Sequence, residues 1–92
     1  MEKIVLAITG ASAQELGERA LKLLLHNNFE VFLILSKGAY LVSLSERNLK
    51  IPADPFRQEI FWRDRLKVNS GKLNCLKWND HSSAIASGSF KT

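Results

Sequence analysis

IVLAITGAS, residues 4–12, joins a buried-strand pattern to a helix start through one short turn. Ile4 to Ile8 is a continuous apolar, β-rich run, which is how a strand covered on both faces reads. Thr9-Gly10-Ala11-Ser12 breaks that run. Ser12 and Glu15, three positions apart, form a capping-box pair. The hydroxyl takes a free backbone N–H, and the carboxylate reaches back to the serine's own N–H. Leu16, Ala20, Leu23 and Leu24 mark the predicted buried stripe of the helix, which His26-Asn27-Asn28 ends.

The pattern then repeats. Val31 to Leu35 is a second buried strand, and Ser36 caps a second helix through Tyr40, Leu41, Leu44 and Glu46. Two strands joined by a helix within about 30 residues make a βαβ unit, whose crossover is almost always right-handed, so the strands are parallel neighbours. In Ile51-Pro52-Ala53-Asp54-Pro55, Asp54 suits an N-cap and Pro55 the first helical position. Phe56, Ile60, Phe61 and Leu66 mark a third helix, within which Trp62 reads as packing. Asn69-Ser70-Gly71 is a turn, and Leu73 to Trp78 a third short strand. Past Asn79 the chain becomes small and polar and closes on a serine/glycine turn. Parallel sheets carry more than two or three strands and are covered on both faces. Residues 1–92 therefore read as an incomplete domain, the N-terminal portion of a parallel α/β fold.

Composition narrows the functional classes. With 92 residues and 46% hydrophobic content, the chain makes at most one globular domain. No apolar run reaches the roughly 18–20 residues of a membrane span. Cys75 is the one cysteine, so no internal disulfide forms, and a reducing, cytoplasmic setting is expected. The net charge of +4 comes from interspersed lysines and arginines with no long basic block, a solvated surface and not a nucleic-acid footprint. His26 and His81 share no ligand spacing with Cys75, which leaves a metal site without support.

Gly10-Ala11-Ser12 is the strongest candidate for chemistry. Small residues at the opening of a helix let backbone N–H groups approach a phosphate, and the helix dipole adds about half a positive charge. The alternative is a tight capped turn without a ligand. No G-x-G-x-x-G is present, because Gly17 is the lone nearby partner glycine. A dinucleotide, and with it an NAD(P)-dependent oxidoreductase, is disfavoured, and a mononucleotide phosphate stays open. Ser36 sits at the same end of the sheet, where capping a helix and touching a ligand are compatible. Glu46 by its position reads as solvated surface. Ser87-Gly88-Ser89 suits an anion nest or an ordinary turn.

Taken together, IVLAITGAS, EVFLILSKGAYLVSLSE (residues 30–46) and IASGSFKT (residues 85–92) resemble the flavin prenyltransferases of UbiX type, formerly called aromatic acid decarboxylases. The resemblance covers nearly the whole chain, with Ala13 where that family has glycine, and corresponds to the family's N-terminal half. It implies a flavodoxin-like, Rossmann-type three-layer α/β/α fold. It also implies transfer of a dimethylallyl group from dimethylallyl phosphate to N5 and C6 of reduced FMN, without a metal, for use by UbiD-type decarboxylases in quinone pathways. On that resemblance Gly10, Ala11, Ser12 and Ser36 contact FMN, Ser12 and Glu46 serve the chemistry, and Ser87 and Gly88 lie near the donor's phosphate. The resemblance further implies a homo-oligomer with active sites between subunits. The isolated chain is expected to be inactive, or to be a non-catalytic FMN- or partner-binding remnant.

Overall fold

Three six-residue strands, β1 (Lys3–Ile8), β2 (Glu30–Leu35) and β3 (Lys72–Lys77), form a parallel sheet in the order β1-β2-β3. The computed structural model describes residues 1–9 and 14–77. Across the sheet Lys3 aligns with Glu30 and Lys72, and Ile8 with Leu35 and Lys77. Helix α1 (Gln14–His26) connects β1 to β2, while α2 (Lys37–Arg47) and α3 (Pro55–Leu66) connect β2 to β3. Both connections step the same way across the sheet, so right-handed crossovers bring all three helices to one face. This strand order is that of the first three strands of a Rossmann-type sheet. Among the described residues no helix is long and apolar enough to cross a membrane.

The core lies between that face and the helices. Leu6 and Ile8, Val31, Leu33 and Leu35, and Leu73 and Cys75 point to the helix side and meet Leu21, Leu25, Ala39, Trp62 and Leu66. Each leucine buried there stabilises the fold by about 1.5–3 kcal/mol. The alternate residues face the other side, and there too Ala7 and Ile34 are only 3% and 2% exposed. The carboxyl-terminal parts of these apolar runs are thus buried on both faces, while Val5 and Phe32 on the far face are half-buried.

Caps and turns follow local chemistry. Ser36 and Asp54 accept from the N–H groups of Ala39 and Arg57, and Pro55 opens α3. Asn48 and Lys67 close α2 and α3 in the left-handed conformation. Gly71 has φ +71°, and a Cβ there would lie 2.7 Å from the Leu25 carbonyl oxygen. The third strand begins at Lys72, and Trp78 lies outside the described residues.

The helix faces differ from the sequence expectation. In α1 the buried residues are Gln14, Gly17, Leu21 and Leu25, whereas Leu16 and Leu23 are 67% and 63% exposed. Ala20 and Leu24 are half-buried. Gly17 is the physical reason: a Cβ there would stand 2.7 Å from Ile8 Cδ1, so α1 lies against β1 on its glycine side. In α2 the buried residues are Ala39 and Ser43, with Leu41 and Leu44 exposed. In α3 they are Gln58, Trp62 and Leu66, with Phe56 and Ile60 exposed. Trp62 is core, as its sequence context implies. It stacks edge-on against Phe61 at 5.0 Å and donates through Nε1 to Gln58 Oε1 at 3.2 Å.

Candidate functional site

The carboxyl ends of β1 and β2 lie side by side, because Ile8 and Leu35 are register partners. In open parallel sheets this edge is where ligands collect. Ser36 follows β2 directly, and its N–H donates to the Ile8 carbonyl at 3.0 Å. Its hydroxyl accepts from Ala39 N–H at 3.1 Å and donates to the Thr9 carbonyl at 3.0 Å. One serine therefore caps α2 and ties the second strand-to-helix turn to the first.

The start of α2 is open. Lys37 and Gly38 are exposed, and among the described residues their N–H groups have no protein partner. A Cβ built on Gly38 would meet nothing nearer than Ser36 Oγ and Thr9 O, both at 3.8 Å. Unpaired N–H groups, the positive end of a helix dipole and the Lys37 ammonium suit an anion such as a phosphate. The donor set fits the phosphate or polar edge of a flavin nucleotide.

Behind the turn lies a polar cluster that the sequence reading missed. Gln14 is 3% exposed. Its Nε2 donates to Ala39 O at 2.8 Å, and its Oε1 accepts from Ser43 Oγ at 2.6 Å and Arg47 Nη1 at 3.3 Å. Arg47 also pairs with Glu18 Oε2 at 2.5 Å, an ion-pair contact without hydrogen-bond alignment, and Arg65 reaches Glu18 Oε1 at 2.9 Å. The cluster stitches all three helices together. The signal was present as Gln14, Gly17, Leu21 and Leu25, spaced three, four and four. A buried stripe that begins on a glutamine and a glycine does not stand out against the leucines of the same helix. The cavity it shares with Ile8 and Trp62 is only about 10 Å³, at the lower limit for one water.

Other candidates stand apart. Glu46 is exposed in the last turn of α2, ten residues and hence about 15 Å along the axis from Ser36. Within one chain the two do not meet. Gly10, Ala11, Ser12, Ser87 and Gly88 lie outside the described residues. Cys75 is buried, and burial, with the Glu59 carboxylate adding to it and Arg63 opposing, pushes its thiol up to about 12. An open groove of about 450 Å³ along the charged side of α3 includes none of these residues.

No family model matches the sequence. The flavin prenyltransferase UbiX of Synechocystis sp. is 36% identical over 91 residues, covering 98% of this chain and 44% of the relative. UbiX of Pseudomonas aeruginosa is 35% identical over 88 residues, covering 96% and 42%. The chain spans less than half the length of these curated relatives. Identity along nearly the whole chain carries the assignment, and by sequence the chain belongs to the flavin prenyltransferase family.

Proposed function

We propose that this chain forms the flavin-holding first half of a prenyltransferase site, with FMN seated at the carboxyl edge of β1 and β2. The observation that carries the reading is the Ser36 hydroxyl between Thr9 O and Ala39 N, which joins the two strand-to-helix turns at one edge. Ser36 orients the flavin nucleotide together with Gly10, Ala11 and Ser12, and the open start of α2 offers N–H groups to its polar edge. Reduced FMN, when bound, supplies the nucleophilic atoms that take a dimethylallyl group from dimethylallyl phosphate. Ser87 and Gly88 hold the donor's phosphate, and hydrogen-bond donors placed on a leaving phosphate need no metal to stabilise it. Ser12 lies by the reacting flavin. Glu46 assists proton transfer beside the chemistry, and the complete protein works as a homo-oligomer. The prenylated product passes to a UbiD-type decarboxylase.

A second reading, a module that holds flavin or a partner without turnover, is favoured by the exposed position of Glu46. Titrating the purified chain with FMN, with flavin fluorescence and oligomeric state followed together, tests both. Saturable micromolar binding that weakens in Ser12→Ala and Ser36→Ala is expected. A folded chain that leaves FMN fluorescence unchanged would sink both as far as they involve flavin. Prenylation assays on FMN-binding protein then separate the enzyme from the module.

A further inference from the structure

We propose that Gln14 is a positioning residue that, together with Ser36, ties Thr9 and the start of α1 to the first turn of α2, and so sets the affinity of the open α2 start for the nucleotide's phosphate. The inference rests on the flavin reading above and goes beyond it by assigning a residue behind the site. Thr9 precedes the four residues 10–13 and Gln14 follows them. Thr9 O is held by Ser36 Oγ at 3.0 Å, while Gln14 Nε2 holds Ala39 O at 2.8 Å. Ala39 N–H in turn bonds Ser36 Oγ at 3.1 Å, so both anchors converge on one peptide-length stretch of α2.

The chemistry suits positioning better than packing. A leucine at residue 14 would fill an apolar stripe without a buried amide to satisfy, whereas glutamine must be matched donor to acceptor. That matching is directional, so it specifies where α1 begins relative to α2. Ser43 Oγ and Arg47 Nη1 occupy Gln14 Oε1, which leaves Nε2 oriented at Ala39 O. The adjoining cavity of about 10 Å³ is too small for any ligand beyond a single water, so the cluster acts on the backbone it holds.

The test compares FMN with riboflavin, which lacks the phosphate, on the full chain. Gln14→Glu keeps the size and the acceptor oxygens but loses the donor to Ala39 O. It is expected to weaken FMN by about tenfold, the equivalent of roughly one charge-assisted hydrogen bond, while riboflavin changes little. Arg65→Ala, which cuts the Glu18 ion pair away from the turn, is the control. It should lower thermal stability without changing the FMN-to-riboflavin ratio. An unchanged ratio in folded Gln14→Glu overturns the positioning role alone. A wild-type chain that binds flavin without preference for FMN overturns the phosphate reading beneath it. Should Gln14→Glu not fold, the wild-type Gln14 side-chain amide gives the answer by NMR. Slow proton exchange that slows further with FMN is expected, and exchange at the rate of a free amide refutes the clamp.

Discussion

The Ser36 hydroxyl donates to the Thr9 carbonyl 27 residues earlier in the chain, at 3.0 Å, while it caps its own helix through Ala39 N–H. A cap is a local device and a link between two turns is not, so this side chain does two jobs with one oxygen. Replacing Ser36 with alanine removes both bonds. The expected loss is about 1–2 kcal/mol in urea unfolding, with weaker FMN binding. Ser36→Thr, which keeps the hydroxyl, should recover most of the stability. If alanine costs nothing, the hydroxyl is not holding the turns together.

Gly17 explains the rotation of α1, and its test is a double-mutant cycle. Alanine at residue 17 would gain up to about 1 kcal/mol in helix propensity. Its Cβ, however, would fall 2.7 and 2.9 Å from Ile8 Cδ1 and Cγ1, and overpacking of that kind costs about 1–3 kcal/mol. Gly17→Ala should therefore be net destabilising in wild-type protein and close to neutral or stabilising on an Ile8→Ala background. Simple additivity of the two changes would contradict the close approach.

Gln58 is buried with its amide fully engaged. Nε2 donates to Tyr40 OH and Pro52 O, both at 2.8 Å, and Oε1 accepts from Trp62 Nε1. Gln58→Leu fills similar space but strands three polar groups, each costing about 1–3 kcal/mol where it stays dry. A large drop in thermal midpoint and a change in near-ultraviolet aromatic dichroism are expected. A variant as stable as wild type would mean that water satisfies those groups.

Alkaline pH should act through Cys75. Its thiol is pushed from an ordinary 9.0 to about 12, first by burial. The folded chain thus keeps a proton that the unfolded chain releases. The resulting stabilisation is complete below pH 9 and is lost as pH rises towards 12. Tyr40 is raised from 10.0, again chiefly by burial, with the Gln58 hydrogen bond opposing, and adds a loss of the same sign higher in that range. Unfolding midpoints measured from pH 8 to 11 should fall less steeply in Cys75→Ala. At neutral pH the native thiol should react with disulfide reagents far more slowly than the urea-unfolded one; equal rates would contradict its burial.

The strands and the caps at Ser36 and Asp54 were legible from the chain alone, whereas the Ser12 end of the Ser12–Glu15 capping box lies outside the described residues. Ile4 to Ile8 and Val31 to Leu35 are apolar without alternation, and Asp54-Pro55 and Ser36 carry their helix starts in their own side chains. Ser36 was readable as a cap and as a site candidate because both follow from its place after a buried strand. Glu46 was suggested by family resemblance alone, since an exposed glutamate late in a helix has no local signature.

What residue patterns did not decide was which side of each helix meets the sheet. Leu16, Leu23, Leu41, Leu44, Phe56 and Ile60 are exposed, while Gly17, Ala39, Ser43 and Gln58 are buried. Hydrophobicity ranks residues by their own transfer energy, but helix rotation here depends on backbone approach and on pairing distant polar groups. Gly17 permits contact with Ile8, and Gln14 finds its partners 25 to 33 residues away. Sequence determined where the elements begin and end, because caps and apolar runs are local. The tertiary structure alone decided their facing and the polar cluster around Gln14, because a small residue or a buried amide is favourable only once its neighbour is in place.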